Sequence, residues 1–304
     1  MINILGRKKI YFAISLVLMI ASAVSLIVQG FNLDTDFAGG MAVTYGIKSD
    51  FEVKDVEALV SEALGANKKA SSVQKSEGNE VIIKFGYDNE LKNDEERAAF
   101  ATEKIDAITA GLTEKYSEVE LKNKDVVSPS TGKELARSAV WMSIFAALAI
   151  LIYVTFRFEF VSGVCAVLAL VHDVLILCGI YSISRIAIDT NFIAAVLTVL
   201  GYSINATIVV FDRIRENTRH AKKQTYSEIA NTSINQTMGR SINTTVTTLL
   251  TIGMVYLMGV SSIKAFALPI IIGIFIGTYS SIFIAGSVWA TWKDSAVKAK
   301  SNRK

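Results

Sequence analysis

The sequence has little cysteine and little net charge, and each shortage disfavours a class of function. Its two cysteines, Cys165 and Cys178, lie in one apolar run. On a helix that rises about 1.5 Å per residue they would be roughly 20 Å apart, so they cannot form a disulfide within that helix. We expect both to be buried as small apolar side chains, without a redox or metal role. The formal net charge of +3 is too small to indicate a nucleic-acid-binding protein.

Proline is also scarce, with 2 in 304 residues, whereas 51% of the residues are hydrophobic and the mean hydropathy is positive. This composition is typical of a membrane protein and disfavours a soluble globule. A helix needs roughly 20 apolar residues to cross about 30 Å of hydrocarbon. Six runs are long enough, so the sequence predicts an α-helical polytopic membrane protein with six transmembrane helices. The runs cover residues 10–30, 136–156, 159–183, 190–212, 241–260 and 264–292.

Lysine and arginine near the ends of the runs predict the orientation, because they are retained on the cytoplasmic side of a membrane. They concentrate in an N-tail (1–9), a loop (213–240) and a C-tail (293–304), whereas the short outer loops hold only two. Both termini are therefore expected in the cytoplasm, and residues 31–135 on the far side. Within this loop, residues 218–240 have amphipathic helical character and are expected to lie along the inner membrane surface.

Residues 31–135 have the periodicity of a folded soluble domain. A strand pattern in "GGMAVTYGI" is followed by a helical pattern at 53–64, two strands in "SSVQKSEGNEVIIKF", a helical pattern after Asn93 and a strand in "SEVELKNKDVV". The order β-α-β-β-α-β predicts an extracytoplasmic α+β domain of the ferredoxin-like type between the first and second membrane helices. It contains no histidine or cysteine, so we expect a binding or lever domain, not an enzyme.

Asp173, in "LALVHDVLILCG", is an ionisable residue near the middle of the third run, and its neighbour His172 points about 100° away around the helix. A charged group at the centre of a membrane helix costs at least about 2.5 to 3.5 kcal/mol, so such a residue indicates a function by default. Two interpretations remain open. One is a proton-linked role, and the other is a neutral carboxyl that hydrogen-bonds to a neighbouring helix, since desolvation favours protonation.

Polar and small residues recur at helical spacing in the fourth, fifth and sixth runs. The fourth run carries a polar stripe that lipid would not tolerate, so it must face protein or water. The sixth repeats small residues every four positions, which lets helix backbones approach closely. The three helices are therefore predicted to pack as a bundle with a polar seam. The residues are Thr198, Tyr202, Asn205 and Asp212 in the fourth run, Arg240, Thr244, Thr247 and Thr251 in the fifth, and Gly273, Gly277, Ser281 and Ala285 in the sixth.

The sequence "DRIREN" follows the fourth run at the point where its helix is predicted to leave the membrane. Arg213 and Arg215 are interpreted there as side chains that extend to the membrane surface and contact lipid phosphate. A direct role of these arginines in function remains the alternative.

Four motifs resemble those of the SecD/SecF protein-export family, which is related to the resistance-nodulation-division transporters. Each motif alone is a weak signal, but four in this order around six spans and one outer domain are specific. The resemblance covers essentially the whole chain. The motifs are "DFAGG" with Asp36, Gly39 and Gly40, "VHDV" at 171–174, "GYSIN" with "TIVVFDRIREN" at 201–217, and "QTMGRS" at 236–241.

The resemblance implies a non-enzymatic accessory subunit of the bacterial Sec machinery in the plasma membrane. It implies a SecD partner, docking beside the SecYEG channel with YajC, and contact with the translocating polypeptide and membrane lipid, but no cofactor, metal or nucleic acid. It also implies that the ion gradient drives outer-domain movements in late steps of translocation. One charge that crosses about 100 mV yields about 2.3 kcal/mol, which is enough to bias a hinge.

The sequence departs from this family at Ala206, where many members have an aspartate taken to belong to the proton route. The arginine proposed to act with that aspartate matches Arg240, and Asp173 is also present. Three possibilities remain: the carboxylate lies on the SecD partner, Asp173 takes over its role, or another cation is coupled through oxygen ligands such as Asn205. The first is favoured, because half-transporters share one midplane site between repeats. Asp173, Arg240 and Asn205 are therefore the candidate ion-coupling residues.

Two competing functions have their own expectations. A stand-alone homo-oligomeric exporter of lipid or small molecules would need a large apolar cleft in the outer domain and a complete ion site in one chain, and Ala206 leaves the usual site incomplete. An assembly scaffold without ion coupling is favoured if the polar stripes only hold helices together.

Overall fold

The computed structural model describes residues 2–65, 72–76, 78–87, 93–221 and 224–301. Within these residues, six helical segments are long and apolar enough to cross a membrane, and a small antiparallel sheet lies between the first and the second. Both features confirm the sequence prediction. In chain order the elements are α1 (Lys8–Val28), α2 (Thr35–Ala38), β1 (Gly40–Ile47), α3 (Val53–Leu64), β2 (Ser72–Ser76), β3 (Glu80–Gly86), α4 (Asp94–Lys115), β4 (Val119–Val127), α5 (Pro129–Arg157), α6 (Phe160–Ser184), α7 (Thr190–His220), α8 (Tyr226–Met258), α9 (Ser261–Tyr279), a π-helical segment (Ser280–Ala285) and α10 (Gly286–Ser301).

The sheet has the strand order β2-β3-β1-β4, and every neighbouring pair is antiparallel. Apolar residues alternate along β1 and β3, so one face of the sheet forms a core with α3 and α4. The strand predicted in "GGMAVTYGI" and the helix predicted at 53–64 are both confirmed. The predicted turn after β2 includes Glu77, which lies outside the described residues.

The membrane helices differ in how much of their surface this chain covers. α6 and the last span, which runs from α9 through the π-helical segment into α10, are the most buried, whereas the most apolar stretches of α5 and α8 are covered least. α6 packs against α1, α5, α7 and α9 and is therefore the central helix of the bundle. A helix that stays exposed while it carries polar residues requires another partner in a membrane.

Residues 213–240, predicted as a cytoplasmic loop with an amphipathic helical stretch, are mostly helical and belong to two long helices. α7 continues to His220, and a capping box of Thr225 and Glu228 starts α8, which then runs unbroken to Met258. Polar side chains of this segment form hydrogen bonds from α7 to α8. For example, Asn217 Nδ2 donates to Ser233 Oγ at 2.8 Å. These bonds stabilise the two helices beyond the predicted ends of the spans. Lys222 and Lys223, in the short connection, lie outside the described residues.

The predicted N-tail and C-tail are also largely structured. The backbone N–H groups of Ile4 and Leu5 donate to Oδ1 of Asn231 at 2.8 and 3.2 Å, and both residues are buried. This ties the first residues to the start of α8. The C-tail continues as α10 through Ser301, and residues 302–304 lie outside the described residues.

Candidate functional site

Asp173 is completely buried and is held by hydroxyl groups from two other spans. Ser203 Oγ of α7 donates to Asp173 Oδ2 at 2.5 Å, and Ser280 Oγ of the π-helical segment donates to the same oxygen at 2.8 Å. A carboxyl group in an apolar interior needs such partners, because an unpaired polar group costs several kcal/mol there. Asp173 therefore forms hydrogen bonds to neighbouring helices, as expected if its role is to hold the helices together.

His172 extends this network to α1. Its Nδ1 lies 2.8 Å from Asp173 Oδ1, and its Nε2 lies 3.1 Å from Ser15 Oγ. Tyr279 stacks on the imidazole ring, with the ring centroids 6.3 Å apart, and its hydroxyl donates to the carbonyl of Tyr11 at 3.0 Å. Sequence reasoning noted His172 only as a neighbour of Asp173. The adjacent "HD" pair in an apolar run was the available signal, since histidine is also rare in membrane helices.

The π-helical segment explains why two consecutive serines both point into the bundle. Ser280 donates to Asp173, while Ser281 Oγ lies 2.8 Å from Thr207 Oγ1 and donates to the carbonyl of Ser203 at 3.3 Å. π-helical turns are rare and frequently occur at functional sites. Sequence reasoning missed Ser203 and Ser280 as Asp173 partners, because serine is common in membrane helices and no pattern marks the π-helical turn.

Small residues bring α9 and α7 close together beside this network. A Cβ atom on Gly273 would lie 2.3 Å from Val199 Cγ2, and one on Gly277 would lie 3.0 Å from Ser203 Cβ. Both glycines therefore permit an approach that a larger residue would prevent. The close packing predicted from the four-residue repeat is confirmed at these two positions.

A cavity of about 190 Å³ lies between α7, α8 and α9, next to Ser203. Its lining includes Tyr202, Asn205 and Ala206 of α7 and Arg240 of α8. Asn205 and Arg240 thus share one space, whereas Asp173 lies behind Ser203, which takes part in both the cavity wall and the buried network. Of the polar and small residues that the sequence predicted to form a seam among the fourth, fifth and sixth helices, five line this cavity: Tyr202, Asn205, Arg240, Thr244 and Gly277.

The cavity lies on the side of the bundle that this chain leaves uncovered. Tyr202, Asn205, Asp212 and Arg240 are exposed, and so are the threonines of the fifth-run stripe. Arg240 forms no ion pair with any other residue in the described ranges. Hydrocarbon cannot satisfy an arginine and an asparagine, so this surface requires protein or water.

A second cluster connects the sheet domain to the bundle through the "DFAGG" motif. Lys84 Nζ on β3 lies 2.9 Å from Asp34 Oδ2 and 3.1 Å from Asp36 Oδ1. The backbone N–H and the hydroxyl of Thr190, at the start of α7, donate to Asp36 Oδ2 at 3.2 and 3.0 Å. We call Asp34, Asp36, Lys84 and Thr190 the junction. It joins β3, the segment after α1 and the first turn of α7.

The electrostatics of the junction favour a charged Asp36. Burial alone would raise the pKa of Asp36, but the Lys84 charge and the hydrogen bonds from Thr190 and Lys84 hold the pKa below its ordinary value. Burial raises the pKa of the deeper Asp34 in spite of Lys84. Asp189 brings a third carboxylate within 4.8 Å of these two, a grouping that could hold a metal ion. Lys84 already supplies positive charge to two of its members.

Gly39 and Gly40 let the chain turn from the motif into β1. Gly39 has φ +82°, and a Cβ atom there would lie 2.8 Å from Pro129 Cα. A Cβ atom on Gly40 would lie 2.5 Å from the carbonyl oxygen of Phe85. Only glycine fits such positions without strain, so the motif places the sheet directly against the start of α5.

The "DRIREN" side chains contact protein groups at the far end of α7. Arg213 Nε donates to Gln236 Oε1 at 2.7 Å, and Arg215 Nη1 donates to the carbonyl of Arg157 at 2.9 Å. Asp212 Oδ1 lies 3.5 Å from Arg157 Nη2. The interpretation of the arginines as lipid-contacting side chains did not include these partners, which hold the end of α7 to α5 and α8.

Comparison with known proteins identifies similar sequences and one similar fold. The family model "Protein export membrane protein SecD/SecF, C-terminal" matches residues 107–295. The protein translocase subunit SecF of Sebaldella termitidis is 34% identical over 93% of this chain and 89% of its own length. The protein translocase subunit SecDF of Thermus thermophilus is 37% identical over 96% of this chain but only 38% of its own length. A crystal structure of SecDF from Thermus thermophilus, described as a translocon-associated membrane protein, has a TM-score of 0.77 at 34% identity and covers 96% of this chain and 39% of that one.

Proposed function

Because this chain belongs to the SecD/SecF family of protein export membrane proteins, we propose that it works with a SecD partner to convert the membrane ion gradient into late steps of polypeptide translocation. It is a multi-pass membrane protein. A relationship to SecD follows from the SecDF relatives, of which this chain matches about two fifths of the length. The remaining part of such a relative is the model for the proposed partner.

The observation that carries the proposal is the uncovered polar cavity with Arg240 and Asn205 in its wall. Its arginine has no carboxylate partner among the described residues of this chain, and Ala206 stands where many family members have an acid. A carboxylate from the partner would complete the site. The most apolar stretch of α8, which this chain leaves largely uncovered, and the exposed threonines of α8 support the same surface as the contact with SecD.

Ser203 connects the cavity to the buried hydrogen-bond network of Asp173. Its side chain lines the cavity and donates to Asp173, so a charge that changes in the cavity alters the hydrogen bonds of Asp173 and Ser280. In a site of low dielectric such changes are large compared with those in water. Asp173 is therefore assigned a role that depends on its charge or on the proton it shares with these hydroxyls.

α7 connects this site to the sheet domain. The helix carries Asn205 and Ser203 in its middle and Thr190 of the junction at its start. Asn205 follows Thr190 by fifteen positions, which corresponds to about 22 Å along a rigid helix. A shift or rotation of α7 at the cavity therefore also moves Thr190, which is hydrogen-bonded to Asp36. Asp36 is paired with Lys84 on β3, so the movement reaches the sheet.

The proposal places the sheet domain outside the cytoplasm and both termini inside, because lysine and arginine concentrate at the opposite end of the bundle. The element order and the strand order β2-β3-β1-β4 support a ferredoxin-like domain. In this position the domain acts on the emerging polypeptide as a lever, beside SecYEG and YajC, and performs no enzymatic reaction.

The proposal is tested by Asp173→Asn and Arg240→Met in membrane vesicles that contain the SecD partner and the channel. Export of a secreted protein is measured with and without an imposed ion gradient. Both variants are expected to lose the gradient-dependent part and keep the ATP-dependent part. Asp106→Asn, at an exposed position of the sheet domain, and Arg7→Met remove the same charges at positions away from this surface and are expected to export normally.

Two outcomes contradict the proposal in different ways. Unchanged gradient-dependent export in both cavity variants would favour a scaffold. Gradient-driven transport of lipid or small molecules by this chain alone in liposomes would instead favour a stand-alone exporter. Purification in mild detergent provides a separate check, since a stable complex with a SecD-like protein is expected.

A further inference from the structure

A second cavity, of about 300 Å³, opens at the end of the bundle opposite the sheet domain. It lies where α5 and α7 end and where α6 and α8 begin, with α10 as the remaining wall. Its volume is at the lower limit of small-molecule sites, which measure about 300 to 1,000 Å³. The side chains that matter for its chemistry are Glu159, Arg215, Arg219, Tyr226, Trp289 and Lys293.

The charges in this cavity leave two guanidinium groups free to bind an anion. Trp289 Nε1 and Lys293 Nζ each lie 2.7 Å from an oxygen of Glu159, so that carboxylate already has its partners and neutralises the lysine. Arg215 donates to the backbone carbonyl of Arg157 and lies over the ring of Phe158. Neither Arg215 nor Arg219 has a carboxylate partner among the residues that the structure describes, and the cavity is therefore positively charged.

The aromatic residues in and around the cavity are of the types that are enriched at the membrane interface. Tyr226 and Trp289 pack edge to face with centroids 5.6 Å apart, and tyrosine and tryptophan are enriched where headgroups meet hydrocarbon. Phe156 is 89% exposed and Phe160 is 61% exposed. They flank the Phe158–Glu159 pair of the cavity wall, so a molecule in the cavity would have apolar surface beside its mouth.

We propose that this cavity binds the phosphate headgroup of an anionic phospholipid from the adjoining leaflet, with Arg215 and Arg219 as the phosphate ligands and the acyl chains along Phe156 and Phe160. Basic pockets between membrane helices bind such headgroups. The planar guanidinium group matches phosphate oxygens in a two-pronged geometry. The site does not involve the ion-coupling cavity or the partner surface, and it fixes the ends of α5, α7 and α10 at the membrane surface.

Native mass spectrometry of the full chain in mild detergent tests the proposal, with phosphatidylglycerol and phosphatidylcholine of the same acyl chains as probes. The wild-type chain is expected to retain phosphatidylglycerol in preference to phosphatidylcholine. Each arginine near the surface contributes about fivefold in affinity, so the double variant Arg215→Gln/Arg219→Gln should bind phosphatidylglycerol about thirtyfold more weakly.

Arg7→Gln is the matched control. Arg7 is exposed and lies at the same end of the bundle, since Lys8 Nζ donates to Thr291 Oγ1 of α10 at 3.0 Å, but it does not line the cavity. The control should keep the wild-type affinity and selectivity. An equal loss in Arg7→Gln, or equal retention of both lipids by the wild type, would overturn the proposal.

Arg219→Gln alone covers the case in which the double variant does not fold. Arg219 has no polar partner in the described part of the chain, so its replacement should leave thermal stability unchanged while it weakens phosphatidylglycerol binding about fivefold. Wild-type binding by a folded Arg219→Gln variant contradicts the assignment. Full displacement of the lipid by millimolar inorganic phosphate would show that the cavity holds a free anion and not a lipid headgroup.

Discussion

Gly273→Ala adds one methyl group where α9 and α7 are in closest contact. The new Cβ atom would lie 2.3 Å from Val199 Cγ2 and 2.6 Å from Val199 Cγ1. Carbon atoms pack best at about 3.5 to 4.0 Å, so the helices must separate by more than 1 Å or Val199 must leave its rotamer. Valine has one strongly preferred rotamer in a helix, and separation of the helices is the expected response.

The magnitude follows from two opposing effects. Overpacking of this kind typically costs about 1 to 3 kcal/mol. Replacement of a helical glycine by alanine gains up to about 1 kcal/mol from helix propensity. With the full propensity gain, the free energy of unfolding should fall by up to about 2 kcal/mol relative to the wild type, and by about 1 to 3 kcal/mol relative to a glycine-to-alanine variant without overpacking. Since Gly277 packs on Ser203 one turn further along the same interface, the separation also weakens the hydrogen bond from Ser203 to Asp173.

Chemical or thermal unfolding of the purified chain in mild detergent measures this effect. Gly253→Ala is the matched control, because a Cβ atom there meets nothing within 4 Å. It should be as stable as the wild type or slightly more stable. The double variant Gly273→Ala/Val199→Ala should recover part of the loss, with a coupling of about 1 kcal/mol. If Gly273→Ala is as stable as Gly253→Ala, or if the double variant shows no coupling, the packing argument is refuted.

Three further predictions concern the junction and the N-terminal residues. Lys84→Met leaves Asp34 and Asp36 without their counter-charge and should lower the free energy of unfolding by about 3 kcal/mol. Lys48→Met is the control, because Lys48 forms an exposed ion pair with Glu118. It should have little effect in the same unfolding assay. Because the pKa of Asp36 is lowered in the folded state, its ionised form stabilises the fold at any pH above the ordinary pKa of about 3.9. This stabilisation is lost as the pH falls through the lower pKa of the folded state. The melting temperatures of the wild type and Asp36→Asn should therefore converge only below about pH 4, and convergence at alkaline pH would contradict the assignment. Asn231→Ala removes the acceptor of two N–H groups at Ile4 and Leu5, which should cost about 1 to 3 kcal/mol and speed hydrogen exchange at those two amides; unchanged exchange would show that the tie is unimportant.

Several parts of this architecture could be predicted from consecutive residues. The apolar length of each run predicts a spanning helix, because a bilayer imposes one length requirement on every such helix. Period-two alternation predicts β1, and the four-residue repeat at Gly273 and Gly277 predicts close helix contact. The ionisable Asp173 in an apolar run is visible in the sequence alone, whereas the departure at Ala206 is visible only in comparison with the family that the motifs resemble. All of these depend on residues that are near one another in the chain.

Contacts between distant residues could not be predicted in this way. Ser203 and Ser280 meet at Asp173 only because α7 and the π-helical segment each present a hydroxyl at the same depth, and one extra residue in a helical turn changes which side chain points inward. Lys84 and Thr190 reach Asp36 from sequence distances of 48 and 154 residues.

The sequence by itself therefore determined the number of spans, the domain between the first two and the residue types available for chemistry. The tertiary structure alone decided which of those residues are buried together and which surface stays uncovered, as at Arg240. The physical reason is that helix and strand periodicity follow from local backbone geometry. The rotation and depth of each helix in the bundle instead depend on the packing of all its neighbours at once.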